Sequence, residues 1–327
     1  MNNGIINREN NQENLMKLAA QNYLYSKAKI ILGIQIITQV VLVVCIALLP
    51  IFITDSFLKY HGIKKIQFTI TTVGLSLILA AIDLIVMVPI INKDREIAAS
   101  IQEDFDCTVL SIPWNDIKVD KPDGEIISSN ASEYIKTKLS KVDIGAANSG
   151  TVLDCFRDWY SPKTIESLPL EVGRIICQRT NCWWDSYLRN KFKRDIVICS
   201  SGIFFLLLLI GIIREMSVPN IIINVFSPFL PVLTFTVVQC RENTRSIKCT
   251  KRLKIKADEY WGKVISNPTN FVLLNDLARK LQNEVFDCRK NNPLIFDWYY
   301  NKYRREQQRD TNYKAQTMID QYNSTII

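Results

Sequence analysis

The chain contains four long apolar segments, at 30–54, 66–91, 196–213 and 217–240. Asp83 is the only charged residue in any of them. A helix needs about 20 apolar residues to cross the hydrocarbon core of a bilayer, whereas buried helices of soluble proteins usually keep a polar face and break after about 10 to 14 residues. The pattern therefore predicts a mainly α, polytopic membrane protein with four transmembrane helices in two hairpins.

Basic residues concentrate on one side of these segments. They cluster at 17–29, 93–95, 189–194 and 241–252, whereas the two loops on the other side contain four lysines and arginines together. Positive flanks stay in the cytosol, so both termini are expected there. The net charge of +8 is then mostly juxtamembrane and favours anionic lipid as a partner, without implying a DNA or RNA polymer.

Three polar regions remain. Residues 1–29 have apolar positions at helical spacing and no cleavable signal peptide pattern, so they predict an amphipathic cytosolic helix that continues into the first span. Residues 241–327 predict C-terminal cytosolic helices, broken near Pro268 and Pro293, with a polar tail that frays after Arg304.

The third polar region, 92–195, is expected to form a small α+β cytosolic sensing domain. Helical periodicity covers 93–105, 131–141 and 168–193, and 107–112 resembles a short strand. The helix at 168–193 leads directly into the third span.

Polar residues form stripes along three of the four spans. Such stripes should face protein or water, because lipid penalises them. They could line a pore or act as hydrogen-bonded helix glue, and an ionised Asp83 costs about 2.5 to 3.5 kcal/mol or more in lipid unless paired or wet. The candidate pore-lining residues are Asp83, Thr69, Thr72, Ser76, Asn220, Asn224, Ser227, Thr234, Gln35 and Gln39.

The cytosolic domain combines arginines with aromatic residues, which suit an anionic, base-containing ligand because guanidinium matches phosphate and aromatic rings stack on bases. The alternative is an internal salt-bridge network with Trp183 and Trp184 in the core, and the residues alone favour that alternative. The ligand-binding candidates are Arg157, Trp159, Tyr160, Arg174, Arg179, Asn181, Trp184, Asp185 and Arg189.

Motifs for catalysis or metal binding are missing from the sequence. There is no phosphate-binding loop, dinucleotide turn or nucleophile elbow, and the single histidine, His61, lies in an outer loop. We expect no enzymatic activity, no cofactor and no metal, and reduced thiols in cytosolic surroundings.

Several motifs resemble those of the SMODS-associating four-transmembrane pore-forming effectors. They are Asn7-Arg-Glu-Asn-Asn-Gln-Glu13, Phe105-Asp-Cys107, Pro113-Trp-Asn115, Arg157-Asp-Trp-Tyr160, Cys177-Gln-Arg-Thr-Asn-Cys-Trp-Trp-Asp185 and Asp297-Trp-Tyr299. The resemblance implies a bacterial antiphage effector in the inner membrane, controlled by a cyclic di- or oligonucleotide. It shifts the preference for the arginine and aromatic residues from an internal network to a ligand site.

Four spans supply too few polar faces for a wide monomeric pore, so a homo-oligomer is expected. Two alternatives remain open: a membrane-anchored scaffold without a pore, and an ion channel or transporter regulated by a protein partner. A transporter would be expected to show inverted repeats with broken helices at the midplane, and no convincing inverted pair is present.

Overall fold

The structure is a computed structural model, and it describes residues 2–42, 44–45, 60–62, 71, 74–75, 78–79, 81–140, 152–160, 162–183 and 185–326. Throughout these residues the secondary structure is helical, without a strand. The α-helices are α1 (Ile5–Glu9), α2 (Gln12–Ile36), α3 (Val88–Val109), α4 (Gly124–Leu139), α5 (Leu170–Trp183), α6 (Asp185–Ile213), α7 (Val218–Ile221), α8 (Ser227–Ser266), α9 (Phe271–Asn291) and α10 (Asp297–Ile326).

Shorter helical turns lie between or extend these helices. The π-helical turns are Ile37–Leu42, Asp83–Met87 and Ile222–Phe226, and the 3-10 turns are Asp154–Phe156 and Lys163–Ser167.

The chain divides into two compact units. The polar unit comprises Met1–Lys27, Lys93–Arg189 and Arg245–Ile327, and the apolar unit comprises Ala28–Asn92 and Asn190–Thr244. The chain passes between the units four times, each time inside a helix: α2, α3, α6 and α8.

In the polar unit α5 is buried on both of its faces. Its apolar residues Val172, Ile175 and Ile176 lie in the core, and the polar residues Arg174 and Gln178 are also buried. It packs against α9 and α10. A helix enclosed in this way must pair every polar side chain internally, because water cannot reach them.

Gly173 brings the N-terminus of the chain against α5. A Cβ atom at this position would lie 3.0 Å from Ile5 Cδ1, 3.1 Å from Asn3 Nδ2 and 3.3 Å from Ile165 Cγ2. The Asn3 side chain also donates to the carbonyl oxygens of Ile165 at 2.7 Å and Leu168 at 3.1 Å. Helix α1 is therefore a packed part of the polar unit.

The predicted strand at 107–112 is wrong, and with it the α+β class for the described residues. Helix α3 continues to Val109. Ser111 then adopts a φ of 52°, and the amides of Ser111 and Ile112 donate to the carbonyls of Thr108 and Cys107. These two bonds and the left-handed residue form a Schellman motif, which normally signals itself by glycine. Because serine stands in that position, the sequence does not mark the end of the helix there.

The predicted fraying of the chain after Arg304 is also wrong. Helix α10 extends from Asp297 to Ile326. Ala315, Met318, Ile319 and Tyr322 are buried, and their spacing places them on one helical face. The helix is stabilised by that apolar stripe in spite of its polar composition.

The predicted helix at 168–193 corresponds to α5 and the first part of α6. The breaks near Pro268 and Pro293 are confirmed, since α8 ends at Ser266 and α9 ends at Asn291. Asn270 caps α9 by accepting a hydrogen bond from the Leu273 amide at 3.1 Å. Helix α4 begins at Gly124, seven residues before the predicted start, with Asp123 as its cap.

The thiols of Cys249 and Cys288 are not reduced as expected, because they form a disulfide between α8 and α9. On one side of the disulfide Ser246 donates a hydrogen bond to Asn292, and on the other side Arg252 forms an ion pair with Glu284. That antiparallel register brings the two cysteines together across 39 residues of sequence.

Within the described residues, two helical stretches are long and apolar enough to cross a membrane, Gln12–Leu42 and Ser186–Ile213. Ser186–Ile213 contains the third predicted span, whereas Gln12–Leu42 overlaps the first, 30–54, only as far as Leu42. Much of the second predicted span lies outside the described residues, and the fourth, which reaches into α8, does not meet the same criterion. Four spans in two hairpins stay a prediction.

Candidate functional site

A buried charge network occupies the centre of the polar unit, with Asp106 of α3 as its focus. Asp106 is fully buried. Its Oδ1 accepts from the hydroxyl of Tyr160 at 2.6 Å, and its Oδ2 accepts from Arg289 Nη1 at 2.6 Å and from Gln282 Nε2 at 3.1 Å. One carboxylate thereby joins α3, α9 and the loop that leads to α5.

Glu103 lies one helical turn before Asp106 and is bound by the same face of α9. It accepts from Arg279 Nη2 at 2.8 Å and from Gln282 Nε2 at 2.7 Å. Burial raises the pKa of Glu103, and the hydrogen bonds from Arg279 and Gln282 act in the opposite direction. Gln178 of α5 donates to Gln282 at 2.9 Å, so the network continues into α5.

The charges of the network are set by burial and by each other. Burial raises the pKa of Tyr160 well above its ordinary value, and the neighbouring Asp106 raises it further. Burial acts to lower the pKa of Arg289, but Asp106, Tyr160 and Glu103 together outweigh it and the net shift is upward. Tyr160 therefore remains a hydrogen-bond donor and Arg289 remains a cation over the physiological pH range.

Glu9 connects α1 to this network through the backbone of Tyr160. Its Oε2 accepts from the Tyr160 amide at 2.8 Å, while its Oε1 is buried without a hydrogen-bond partner. Burial raises the pKa of Glu9 to about 8, the Tyr160 amide lowers it, and the nearby Asp158 and Glu166 raise it. A carboxyl group with this pKa carries its proton near neutral pH.

A second buried ion pair ties α2 to α3. Lys17 Nζ lies 2.7 Å from Asp104 Oδ2 and also donates to Thr108 Oγ1 at 3.2 Å. Both charged side chains are almost fully buried. Helices α2 and α3 are thus held together by charge as well as by apolar packing.

Three of the predicted ligand-binding arginines have protein partners. Arg174 is buried and donates to the carbonyl oxygens of Leu110 and Ser111, and burial lowers its pKa. Arg179 donates to Asp258 at 2.6 Å. Arg189 is buried and donates to the carbonyl oxygen of Pro293.

The remaining candidates differ in exposure. Tyr160 lies inside the network, whereas Arg157 is about half exposed and forms an ion pair with Asp154, three residues before it, at 2.7 Å. Trp159 is 37% exposed and its ring meets Phe105 edge-on. Trp184 and the side chains of Asn181 and Asp185 lie outside the described part of the chain. Arg157 and Trp159 are therefore the described candidates with free surface to offer a ligand.

Apart from Tyr160, the residues that form the network were not among the candidates predicted from the sequence. Asp106, Arg279, Gln282 and Arg289 were not singled out. Gln282 offered a signal, since it follows Leu281 on the apolar stripe of α9. A polar side chain in an apolar stripe must find a buried partner.

The network can hold helices in one arrangement, and Glu9 can store a proton. Its carboxylates are paired with arginine, lysine, glutamine or tyrosine, and no group of three or more possible metal ligands occurs among the residues described. Since each charge has a specific partner on another helix, the network would favour a small number of discrete arrangements.

In the apolar unit, the first and second apolar segments are joined by polar side chains. Gln39 is buried and donates to the carbonyl oxygen of Leu79 at 2.6 Å, and Gln35 hydrogen-bonds to Asp83. These two contacts fit the helix-glue alternative for Gln35 and Gln39. One Asp83 oxygen, Oδ1, has no hydrogen-bond partner.

Among the remaining pore-lining candidates, the structure describes the side chains of two. Thr234 and Asn220 are exposed. Thr69, Thr72 and Ser76, and the side chains of Asn224 and Ser227, lie outside the described part of the chain. A hydrogen bond of 2.8 Å between Thr236 of α8 and Ser200 of α6, which sequence reasoning missed, joins the second pair of apolar segments.

Comparison with known proteins agrees with this architecture of a polar helical unit and an apolar one. The profile of the SMODS-associating 4TM effector domain family matches residues 3–318. The chain belongs to this family. A curated relative from Bacillus cereus (strain VD146), named a probable CBASS effector molecule, is 25% identical, and the match covers 90% of this chain and 92% of the relative. No solved structure matches the chain.

Proposed function

We propose that this chain is an antiphage defence effector that disrupts the bacterial inner membrane by forming or gating a pore, under control of a cyclic oligonucleotide that its polar unit senses from the cytosol. The observation that carries the proposal is the family match across nearly the whole chain. The similarity to a probable CBASS effector adds the defence context. In this proposal the chain has no enzymatic activity of its own.

The exposed surface of the apolar unit supports a membrane location. Large apolar side chains that would be buried in a soluble protein are solvent-accessible along several helices. They include Leu84 at 71%, Ile85 at 71%, Phe205 at 65%, Ile213 at 70% and Val218 at 70%. Contiguous apolar surface of this kind is typical of contact with lipid or another chain.

Asp83 supports a further part of the proposal, the conduction of ions through a pore. It is a carboxyl group within an apolar segment, its described hydrogen-bond partner is the neutral Gln35, and one of its oxygens is unsatisfied. Carboxylates within membrane segments mostly face water-filled paths or bundle interiors. In an oligomer, Asp83 would contribute to a cation-favouring path between subunits.

The sensing step requires a ligand that binds two states of the polar unit with different affinity. Arg157 and Trp159 are an exposed cation and an exposed aromatic ring three residues and one residue before Tyr160, which is the hydroxyl donor to Asp106. A nucleotide bound at Arg157 and Trp159 would act on the segment that carries Tyr160. The charge network would then transmit the change to α3 and α9.

The experiment is dye release from liposomes, with conductance recorded in planar bilayers, using the full-length protein and a panel of cyclic oligonucleotides. We expect leakage that depends on one nucleotide, reduced conductance or altered cation selectivity for Asp83→Asn, and a weakened nucleotide response for Arg157→Ala. Arg252→Ala is the matched control, because Arg252 is also exposed and paired with one carboxylate.

The outcomes separate the alternatives. Leakage that no nucleotide alters but a protein partner does would identify a channel regulated by that partner. Membrane-bound protein without leakage or current would identify a scaffold. Unchanged conductance and selectivity in Asp83→Asn would exclude Asp83 from the conducting path.

A further inference from the structure

The connection between α9 and α10, residues 292–296, contacts three other helices of the polar unit. Arg189 of α6 donates to the carbonyl oxygen of Pro293 at 2.8 Å, and Arg95 of α3 donates to that of Asn292 at 3.5 Å. Ser246 of α8 donates to the Asn292 side chain. A short non-helical segment is therefore fixed by helices from three separate parts of the chain.

Each of these three contacts lies close to the end of a predicted apolar segment. Arg95 is four residues after 66–91, Ser246 is six residues after 217–240, and Arg189 is seven residues before 196–213. At about 1.5 Å per residue, these helical spacings correspond to roughly 6 to 11 Å. The headgroup layer on each side of a hydrocarbon core extends over about 5 to 8 Å. Measured along its own helix, Arg95 lies at roughly the depth of this layer, and Ser246 and Arg189 lie roughly 1 to 3 Å beyond it.

An exposed aromatic residue follows the connection directly. Trp298, the second residue of α10, is 68% exposed. Its ring lies parallel to that of Phe296 with centroids 6.5 Å apart, and it meets Tyr299 edge-on at 5.5 Å. Tryptophan combines an apolar ring with a hydrogen-bond donor, and it is enriched at membrane interfaces for that reason.

The charges near this position suit a lipid surface. Lys93 of α3 and Arg245 and Lys248 of α8 are exposed and lie within one turn of Arg95 or Ser246. Each lacks an ion pair within the described part of the chain. Cations beside a membrane segment attract anionic headgroups. An exposed tryptophan, on a segment attached to helices that carry these cations, is what an anionic lipid interface would bind.

We propose that the segment from Phe296 to Tyr299 is an interfacial anchor, with the Trp298 ring inserted among the lipid headgroups. The anchor rests on membrane embedding by the proposed function but not on pore formation or on nucleotide sensing. Because the connection just before this segment is hydrogen-bonded to α3, α6 and α8 through Asn292 and Pro293, the lipid surface would hold these three helices at a constant depth.

The test uses tryptophan fluorescence of the full-length protein in vesicles of phosphatidylcholine and phosphatidylglycerol. Bromine atoms that quench the emission are carried on the acyl chain, either near the headgroup or near the terminal methyl. The chain has six tryptophans, so the contribution of Trp298 is the difference between the wild type and Trp298→Phe. We expect that difference to be quenched more strongly by shallow bromines than by deep ones.

Trp159→Phe is the matched control. Trp159 is also partly exposed in the polar unit, but it packs against Phe105 within the core of that unit. Its difference signal should be insensitive to bromine at either depth. A conservative change to phenylalanine keeps an aromatic ring at both positions, and circular dichroism would show that both variants keep their helices.

Two results would overturn the anchor. One is a Trp298 signal that acrylamide in water quenches while neither bromine position does, which would place the ring in water. The other is a signal that neither quencher reaches, which would place the ring against a second copy of the chain. If shallow bromines quench Trp298 but the protein causes no dye leakage, the proposed function is overturned and the anchor is retained.

Discussion

The two units use buried and exposed positions in opposite ways. The polar unit places charge inside, where Asp106, Lys17 and Asp104 are almost completely buried, and covers itself with charged residues. The apolar unit places large apolar side chains outside, among them Leu84 and Phe205. Burial is favourable only relative to the surrounding solvent, so the contrast indicates two solvents for one chain, water and lipid.

The contrast also concerns how each unit is stabilised. Helices in lipid gain little from the hydrophobic effect and associate by packing and hydrogen bonds, as Gln39 with Leu79 and Ser200 with Thr236 do. The polar unit has an extensive apolar core and adds a charge network to it. Buried charge pairs contribute little net stability but penalise every arrangement that separates them. The following predictions test that division of roles.

The largest effect is expected from Asp106→Asn. The change leaves the buried Arg289 without its nearest carboxylate, and breaking a buried pair typically costs about 3–5 kcal/mol. The unfolding temperature of the detergent-solubilised protein should fall strongly. Asp116→Asn, at an exposed aspartate, is the control and should melt like the wild type. Equal melting of both variants would contradict a structural role for the network.

Loss of the disulfide should rank second. Cys249→Ser removes a crosslink that closes 39 residues of chain, and native disulfides contribute typically about 2–4 kcal/mol. Thermal melting with and without a dithiol reductant measures the effect, and reductant should lower the wild-type melting temperature alone. Cys155→Ser, at an exposed free cysteine, should behave as the wild type does. A wild type that is insensitive to reductant would show that the thiols are free in solution.

Glu9→Gln should change how stability depends on pH. Glu9 holds its proton up to a pKa of about 8 in the folded chain, while the unfolded value is about 4.3. The folded state therefore binds more protons between these values, and its stability falls as the pH rises from about 4.3 to about 8. Glutamine mimics the protonated carboxyl and removes the titration, so the variant should be more stable than the wild type at pH 8, and this advantage should shrink as the pH falls.

The measurement is a series of melting curves from pH 5 to 8.5. Glu13→Gln is the control, because Glu13 lies on the next helix and is 77% exposed. A wild-type pH dependence that survives in Glu9→Gln would mean that another group causes it. Asp158, Glu166 and Lys163 face Glu9 and are the groups to examine next.

The smallest effect on stability is expected at the surface. Arg157→Ala removes one exposed ion pair with Asp154, and such pairs contribute about 0.2–1 kcal/mol. Its melting temperature should stay close to that of the wild type, while Arg174→Ala, which removes a buried donor to two carbonyls, should melt much earlier. If Arg157→Ala melts as early as Arg174→Ala, the contrast between exposed and buried arginines does not hold.

How far sequence reasoning reached differs between elements. The breaks near Pro268 and Pro293 were predictable because proline has no backbone N–H to donate within a helix and disfavours a helical conformation in the residue before it. The end of α3 was not, because Ser111 takes a left-handed conformation that glycine usually marks. The order of α10 was missed because its polar composition outweighed the apolar stripe of Ala315, Met318, Ile319 and Tyr322.

The candidate site shows the same limit more sharply. Arg174, Tyr160 and Arg189 were predicted to bind a ligand, but the sequence alone could not tell whether their partners are a ligand or other residues. The structure assigns them protein partners: the Leu110 and Ser111 carbonyls, Asp106 and the Pro293 carbonyl. For Arg157 and Trp159, the experiment with cyclic oligonucleotides tests whether the partner is a ligand.

The sequence by itself determined the membrane character, the helical composition and the motifs that identify the family, because each depends on residues that are close together in the chain. Only the tertiary structure decided which charges pair with each other. Asp106 and Arg289 are 183 residues apart, and Glu9 and Tyr160 are 151 apart. Such pairs depend on how distant helices pack, and no local pattern of hydropathy, charge or propensity encodes that packing.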